Sequence, residues 1–209
     1  SSIISSLSII IIIFIAVSIY SVHPLLSQQS PPANSNSTWM TGAAIPTARS
    51  EIAGAALDGK IYIVGGFDNS RRSSGSVEVY DLIADNWTTG EPLPQPLDHT
   101  AAASFGGKLY VVGGGYLNRA DLSDKLFIYD PSTKSWTEGA NLPSARGALT
   151  ANFINGILYV VGGVDSTVTL TSTLAYDPAT NKWTEKAPMP TPREHLTSAV
   201  ADGKLYVVG

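Results

Sequence analysis

The chain has 209 residues, 44% hydrophobic and 14% charged, which suits a folded domain and excludes a disordered chain. Thirteen Lys and Arg against seventeen Asp and Glu give a net charge of −4, so there is no broad basic surface to hold nucleic acid by counterion release. Cysteine is absent, which removes disulfides, thiolate catalysis and cysteine-ligated metals.

Apart from His23, the first acidic or basic side chain is Arg49. Nine of the first twenty residues are isoleucine, and residues 1–22 predict an apolar helix about as long as a bilayer requires. On the insertion scale those isoleucines contribute about −3 to −5 kcal/mol, enough to offset the serines. A retained anchor and a cleaved signal peptide both fit. Ala16-Val17-Ser18 reads as a small-x-small cleavage site, yet the apolar run continues through Ile19, Tyr20 and Val22. Either would place the rest of the chain outside the cytoplasm, tethered or secreted. Residues 23–38, rich in Pro, Ser, Asn and Gln, predict a flexible linker.

From Trp39 the chain repeats itself. Gly65-Gly66, Gly113-Gly114 and Gly162-Gly163 recur after 48 and 49 residues. Trp39, Trp87, Trp136 and Trp183 are spaced by 48, 49 and 47 residues, and Tyr80, Tyr129 and Tyr176 by 49 and 47. Three markers sharing a period near fifty predict a radial β-repeat, with units at 46–94, 95–143, 144–190 and 191–209. Asp58-Gly59, Gly106-Gly107, Asn155-Gly156 and Asp202-Gly203 predict primed two-residue turns, each joining a small, apolar strand a to a bulkier strand b. Strand c ends in Tyr-Asp and strand d starts at the Trp, so each unit reads as a four-stranded antiparallel sheet.

The paired Gly after strand b, the Tyr-Asp closing strand c, the following Trp and the Pro-x-x-Arg opening the next strand a resemble the kelch repeat over residues 39–209. The resemblance implies an all-β, kelch-type β-propeller. Three full units and half a fourth are fewer than the about four to eight blades that usually close such a ring. The chain is therefore expected to be one arc of it, with Trp39–Pro46 standing as strand d of another blade.

Antiparallel reversal puts the a–b and c–d turns on one rim, and the b–c loops and d–a corners on the other. The b–c loops are unlike one another and carry Arg71, Arg72, Tyr116 and Arg119 as binding candidates. The d–a corners place Arg49, Arg146 and Arg193 in register, accompanied by Glu51, Asp98, His99, Glu194 and His195. Convergence of the three arginines near the axis would suit a carboxylate ligand. Pairing of each with a carboxylate of its own or a neighbouring blade, such as Asp98, Glu51 or Glu194, is the alternative. His99 and His195 lie two repeats apart without short-range ligand spacing, so neither a metal site nor a cofactor is expected. Asn36 and Asn86 open glycosylation sequons.

Many kelch propellers act as interaction scaffolds, so the resemblance implies a binding module for protein or glycan ahead of an enzyme. Envelope sialic-acid mutarotases look similar in repeat and targeting. Galactose oxidase also carries kelch blades, but its copper site uses a tyrosine cross-linked to cysteine, and no cysteine occurs here. A structural or adhesive surface protein is the remaining class.

Overall fold

A computed structural model describes residues 40–115 and 121–209 of the protein. The described residues hold strands β1 (Ala53–Leu57), β2 (Lys60–Val64), β3 (Val77–Asp81), β4 (Asn86–Thr89), β5 (Ala101–Phe105), β6 (Lys108–Val112) and β7 (Leu126–Asp130). They continue with β8 (Ser135–Glu138), β9 (Thr150–Ile154), β10 (Ile157–Val161), β11 (Thr173–Asp177), β12 (Lys182–Lys186), β13 (Thr197–Ala201) and β14 (Lys204–Val208). Each successive four form an antiparallel sheet in chain order, and β13 pairs with β14 alone. These are the expected kelch-type blades, here called blades 1 to 4. The helix expected over 1–22, the linker over 23–38 and the Asn36 sequon lie outside the described residues. Among the described residues no helix is long and apolar enough to cross a membrane.

The turn residues set the a–b hairpins. Leu57 pairs with Lys60, Phe105 with Lys108, Ile154 with Ile157 and Ala201 with Lys204, leaving two residues in each turn. Asp58 and Gly59 have φ of 49° and 73°, and the other three turns repeat this left-handed pair. Such turns match the twist of the flanking strands, which is why Asn, Asp and Gly stand there.

Strands β1, β5, β9 and β13 neighbour one another around the axis. Behind them the sheets stack face to face. From blade 2, Leu109, Val111, Phe127 and Tyr129 pack towards Tyr62, Val64, Val77 and Val79 of blade 1. Its other face presents Tyr110, Val112 and Leu126 to Leu158, Val160, Leu174 and Tyr176 of blade 3. With both faces covered, strand b becomes a continuous apolar run rather than an alternating one. Leu109, Val111, Val112 and Leu126 are fully buried, each contributing about 1.5–3 kcal/mol of hydrophobic free energy.

The marker aromatics hold the outer edges. Tyr80–Trp87, Tyr129–Trp136 and Tyr176–Trp183 have ring centroids 5.0, 5.0 and 5.1 Å apart. Each half-buried Trp donates its indole N–H to a carbonyl of the preceding unit: Trp87 to Ala43 at 2.8 Å, Trp136 to Glu91 at 3.1 Å and Trp183 to Ala140 at 2.8 Å. Ala43 and Ala140 also donate their N–H groups to Asp85 and Asn181 respectively, both at 2.7 Å. The described part of Trp39–Pro46 thus makes the contacts of a strand d end, although no strand forms there.

Candidate functional site

The b–c loops and d–a corners meet on one rim through the bridges Ser50–Phe67, Ser74–Leu97 and Gly147–Val164. The glycine pairs make this meeting possible. Gly66, Gly114 and Gly163 donate their N–H groups to the carbonyls of Leu97, Arg146 and Arg193 at 2.8, 2.8 and 2.9 Å. A Cβ on the first glycine of each pair would lie 2.4, 2.7 or 2.6 Å from the same carbonyl. All six have positive φ, so a side chain is excluded by space and by conformation.

At the axis a belt of main-chain hydrogen bonds runs from blade to blade. His99 N–H donates to Glu51 C=O at 3.1 Å, Ala148 to His99 at 2.9 Å and His195 to Ala148 at 3.0 Å. These four residues stand two positions after the Arg register and all adopt the left-handed conformation, with φ of 53°, 48°, 53° and 48°. That conformation costs a non-glycine residue of order 1–3 kcal/mol, and the belt is the surrounding structure that holds it. Their side chains, with Ile52, Thr100, Leu149 and Leu196 at the starts of strand a, line a cavity of about 230 Å³.

The arginines do not converge there. Arg49 lies in its own blade, donating to Glu78 Oε2 at 2.7 Å, to the Ser76 carbonyl at 3.1 Å and to the Gly65 carbonyl. Arg146 donates to Ser144 Oγ and Ser172 Oγ, both at 2.8 Å, and to the Gly162 carbonyl at 3.4 Å. Burial lowers the pKa of Arg146, against the fields of Asp165 and Glu185. Arg193 donates to the Gly209 carbonyl. In all three the acceptor glycine stands sixteen residues on, at the end of strand b. Their common function is to satisfy the corner carbonyls of the blade, and Leu97, buried in the apolar core, fills the equivalent place in blade 2. The expectation of a basic axial cluster is corrected accordingly. Of the anticipated carboxylate pairs only Arg49 makes one, with Glu78 in place of Asp98, Glu51 or Glu194, while Arg146 is held by serine hydroxyls and a carbonyl and Arg193 by a carbonyl.

The axis holds a carboxylate and two imidazoles instead. His99, itself buried, has Nδ1 2.7 Å from Asp98 Oδ1, and Asp98 accepts from Ser73 Oγ at 2.5 Å. Its Nε2 lies 3.3 Å from Glu51 Oε2, and its ring meets Phe67 and His195 edge-on at centroid distances of 5.4 and 5.0 Å. Glu194 Oε1 is 3.8 Å from His195 Nδ1. Separation along the chain therefore misleads for His99 and His195, whose rings meet across the position of Ala148, the smallest of the four belt side chains. The apolar lining by Ile52, Leu149 and Leu196 was not anticipated, although each comes directly after its belt residue.

On the loops, Arg71 and Arg72 are exposed, and Arg72 meets Asp68 at 3.2 Å. Backbone N–H groups hold two loop carboxylates below their usual pKa, with Arg72 and Ser70 donating to Asp68, and Val168 and Thr167 to Asp165. These bonds fold each loop on itself. Tyr116 and Arg119 lie outside the described residues. Asn86 is exposed on the opposite rim, at the start of β4.

The family model described as the KLHDC2/KLHL20/DRC7 Kelch-repeats domain matches residues 30–209. Among 221 matching solved chains, that described as "Structure of YjhT" aligns over 81% of this chain and 62% of its own length, at 18% identity and a TM-score of 0.71. At that identity the likeness concerns fold alone, and this chain spans less than two thirds of that one. No curated protein matches.

Proposed function

We propose, on the premise that this chain belongs to the Kelch-repeat family, that it is a binding module recognising a protein partner through the rim of b–c loops and d–a corners. The observation that carries the reading is the division of labour at the belt. Main-chain atoms join the blades, while the four side chains at the same positions differ and line a cavity. Variable groups on a rigid frame are what recognition uses. An arginine fork for a carboxylated sugar is disfavoured, because Arg49, Arg146 and Arg193 are engaged within their blades. We also place the module outside the cytoplasm, tethered or secreted, on the strength of the apolar segment 1–22.

The test selects displayed peptides against the full chain and remeasures them on rim variants. Arg72→Glu and Val168→Asp, on the b–c loops, should weaken the selected peptides at least tenfold. Lys134→Glu and Ile83→Asp, on the opposite rim, should leave them unchanged. Loss confined to the second pair would refute the proposal and move the surface to the c–d turns, where Ile83 is 95% exposed. Binding on a glycan array, where the peptide library yields no binder, would also overturn the protein-partner reading.

A further inference from the structure

We propose that Glu51, His99 and His195 form a zinc site at the propeller axis, independent of the partner-binding proposal. One ligand atom from each lies within 4.8 Å of the others. The tightest pair, His99 Nε2 and Glu51 Oε2, is 3.3 Å apart. Ligands at about 2.0–2.1 Å from a tetrahedral zinc are themselves about 3.3–3.4 Å apart, so these two already stand at zinc spacing. His195 is the more exposed imidazole, with 40% of its side chain accessible. Zinc binding requires this side chain to turn inward from its present place beside Glu194.

Support behind the ligands argues for a metal rather than a chance cluster. The buried Asp98 carboxylate only accepts hydrogen bonds, so it holds the His99 ring by Nδ1 and turns Nε2 towards Glu51 and the cavity. Asp98 is held in turn by Ser73. A carboxylate behind a histidine is the usual device for fixing the tautomer of a metal ligand and raising its basicity. The ligands descend from three blades whose backbones are joined by the main-chain belt, which fixes where each side chain starts. Two imidazoles and one carboxylate suit zinc and exclude a dedicated calcium or magnesium site, which would use oxygen ligands. A tetrahedral zinc held by these three ligands keeps its fourth position for water.

The experiment uses the untagged full chain, stripped with chelator and titrated with zinc ion alone against a competing indicator. We expect one equivalent bound with a dissociation constant at or below the micromolar range, and no competition from magnesium or calcium. His99→Ala and His195→Ala should each weaken binding at least a hundredfold. Asp98→Asn should weaken it about tenfold to a hundredfold, and His23→Ala should leave it unchanged. Zinc should raise Tm in the native chain by mass action, and Ala148→His should tighten binding by adding a fourth ligand. A native chain that takes up no zinc at one equivalent, or an unchanged affinity in His195→Ala, would overturn the proposal. These outcomes leave the peptide-binding test untouched, so either reading can fail alone.

Discussion

Replacing Arg49 by Met separates the two meanings of the arginine register. The Arg49 side chain is fully shielded and Glu78 is 8% accessible at the far end of a 2.7 Å ion pair. Met retains much of the stem volume and removes the charge, leaving the Glu78 carboxylate buried without its cation. Breaking a buried pair in this way costs about 3–5 kcal/mol. For a folded unit of this size, at roughly 2–4 °C per kcal/mol, Tm should fall by about 6–20 °C. The paired substitution Arg49→Met with Glu78→Leu removes both charges and should recover the part of the loss due to the stranded carboxylate, while the Gly65 and Ser76 carbonyls still lack their donor. Melting monitored by circular dichroism, on both singles and the double, gives the coupling directly. A loss below about 2 °C in the single, or a double that loses the sum of the singles, would refute the in-blade function. Unchanged stability with weakened binding would restore arginines to the ligand site.

Gly66→Ala should destabilise more than Gly59→Ala in urea unfolding. Gly59 faces open space at φ 73°, so Ala there costs about 1–2 kcal/mol for its left-handed backbone. At Gly66 the added Cβ would also sit 2.5 Å from the Ser50 carbonyl, and equal losses would sink the close-approach explanation. Acid should destabilise the blades through Asp81 and Asp130. Hydrogen bonding to Lys60, with help from the Ala84 and Ile83 amides, lowers Asp81 from 3.8 to about 2, and Lys108 chiefly lowers Asp130. A depressed carboxylate pKa contributes stability above the ordinary value that is lost as pH falls through the folded one. Tm should therefore drop between about pH 4 and 2, and Asp81→Asn with Asp130→Asn should flatten that drop. An unaltered profile in the double variant would argue against these pairs.

The sequence carried the strands further than it carried the site, for a physical reason. Asp58-Gly59 and its equivalents require one turn geometry, and that geometry fixes where β1 ends and β2 begins. The glycine pairs were equally legible, because no other residue fits beside the Leu97, Arg146 and Arg193 carbonyls. The direction of the arginine side chains was not. Register along a repeat says which residues are equivalent around the ring, but not whether equivalents point inward or back into their own sheets. The decisive partner, Glu78, lies on β3, where its burial is invisible until blade 1 is folded. The meeting of His99 with His195 depends on the angle between blades, and a linear spacing carries no angle.

The axial belt has a consequence for how such a protein diversifies. Glu51, His99, Ala148 and His195 differ in charge, size and polarity, yet each performs the same joining task with its main-chain atoms. Inheritance can thus exchange what the mouth displays one letter at a time without renegotiating how neighbours are fastened. Substitution at these four positions therefore changes the chemistry of the mouth while the main-chain fastening between neighbours stays in place.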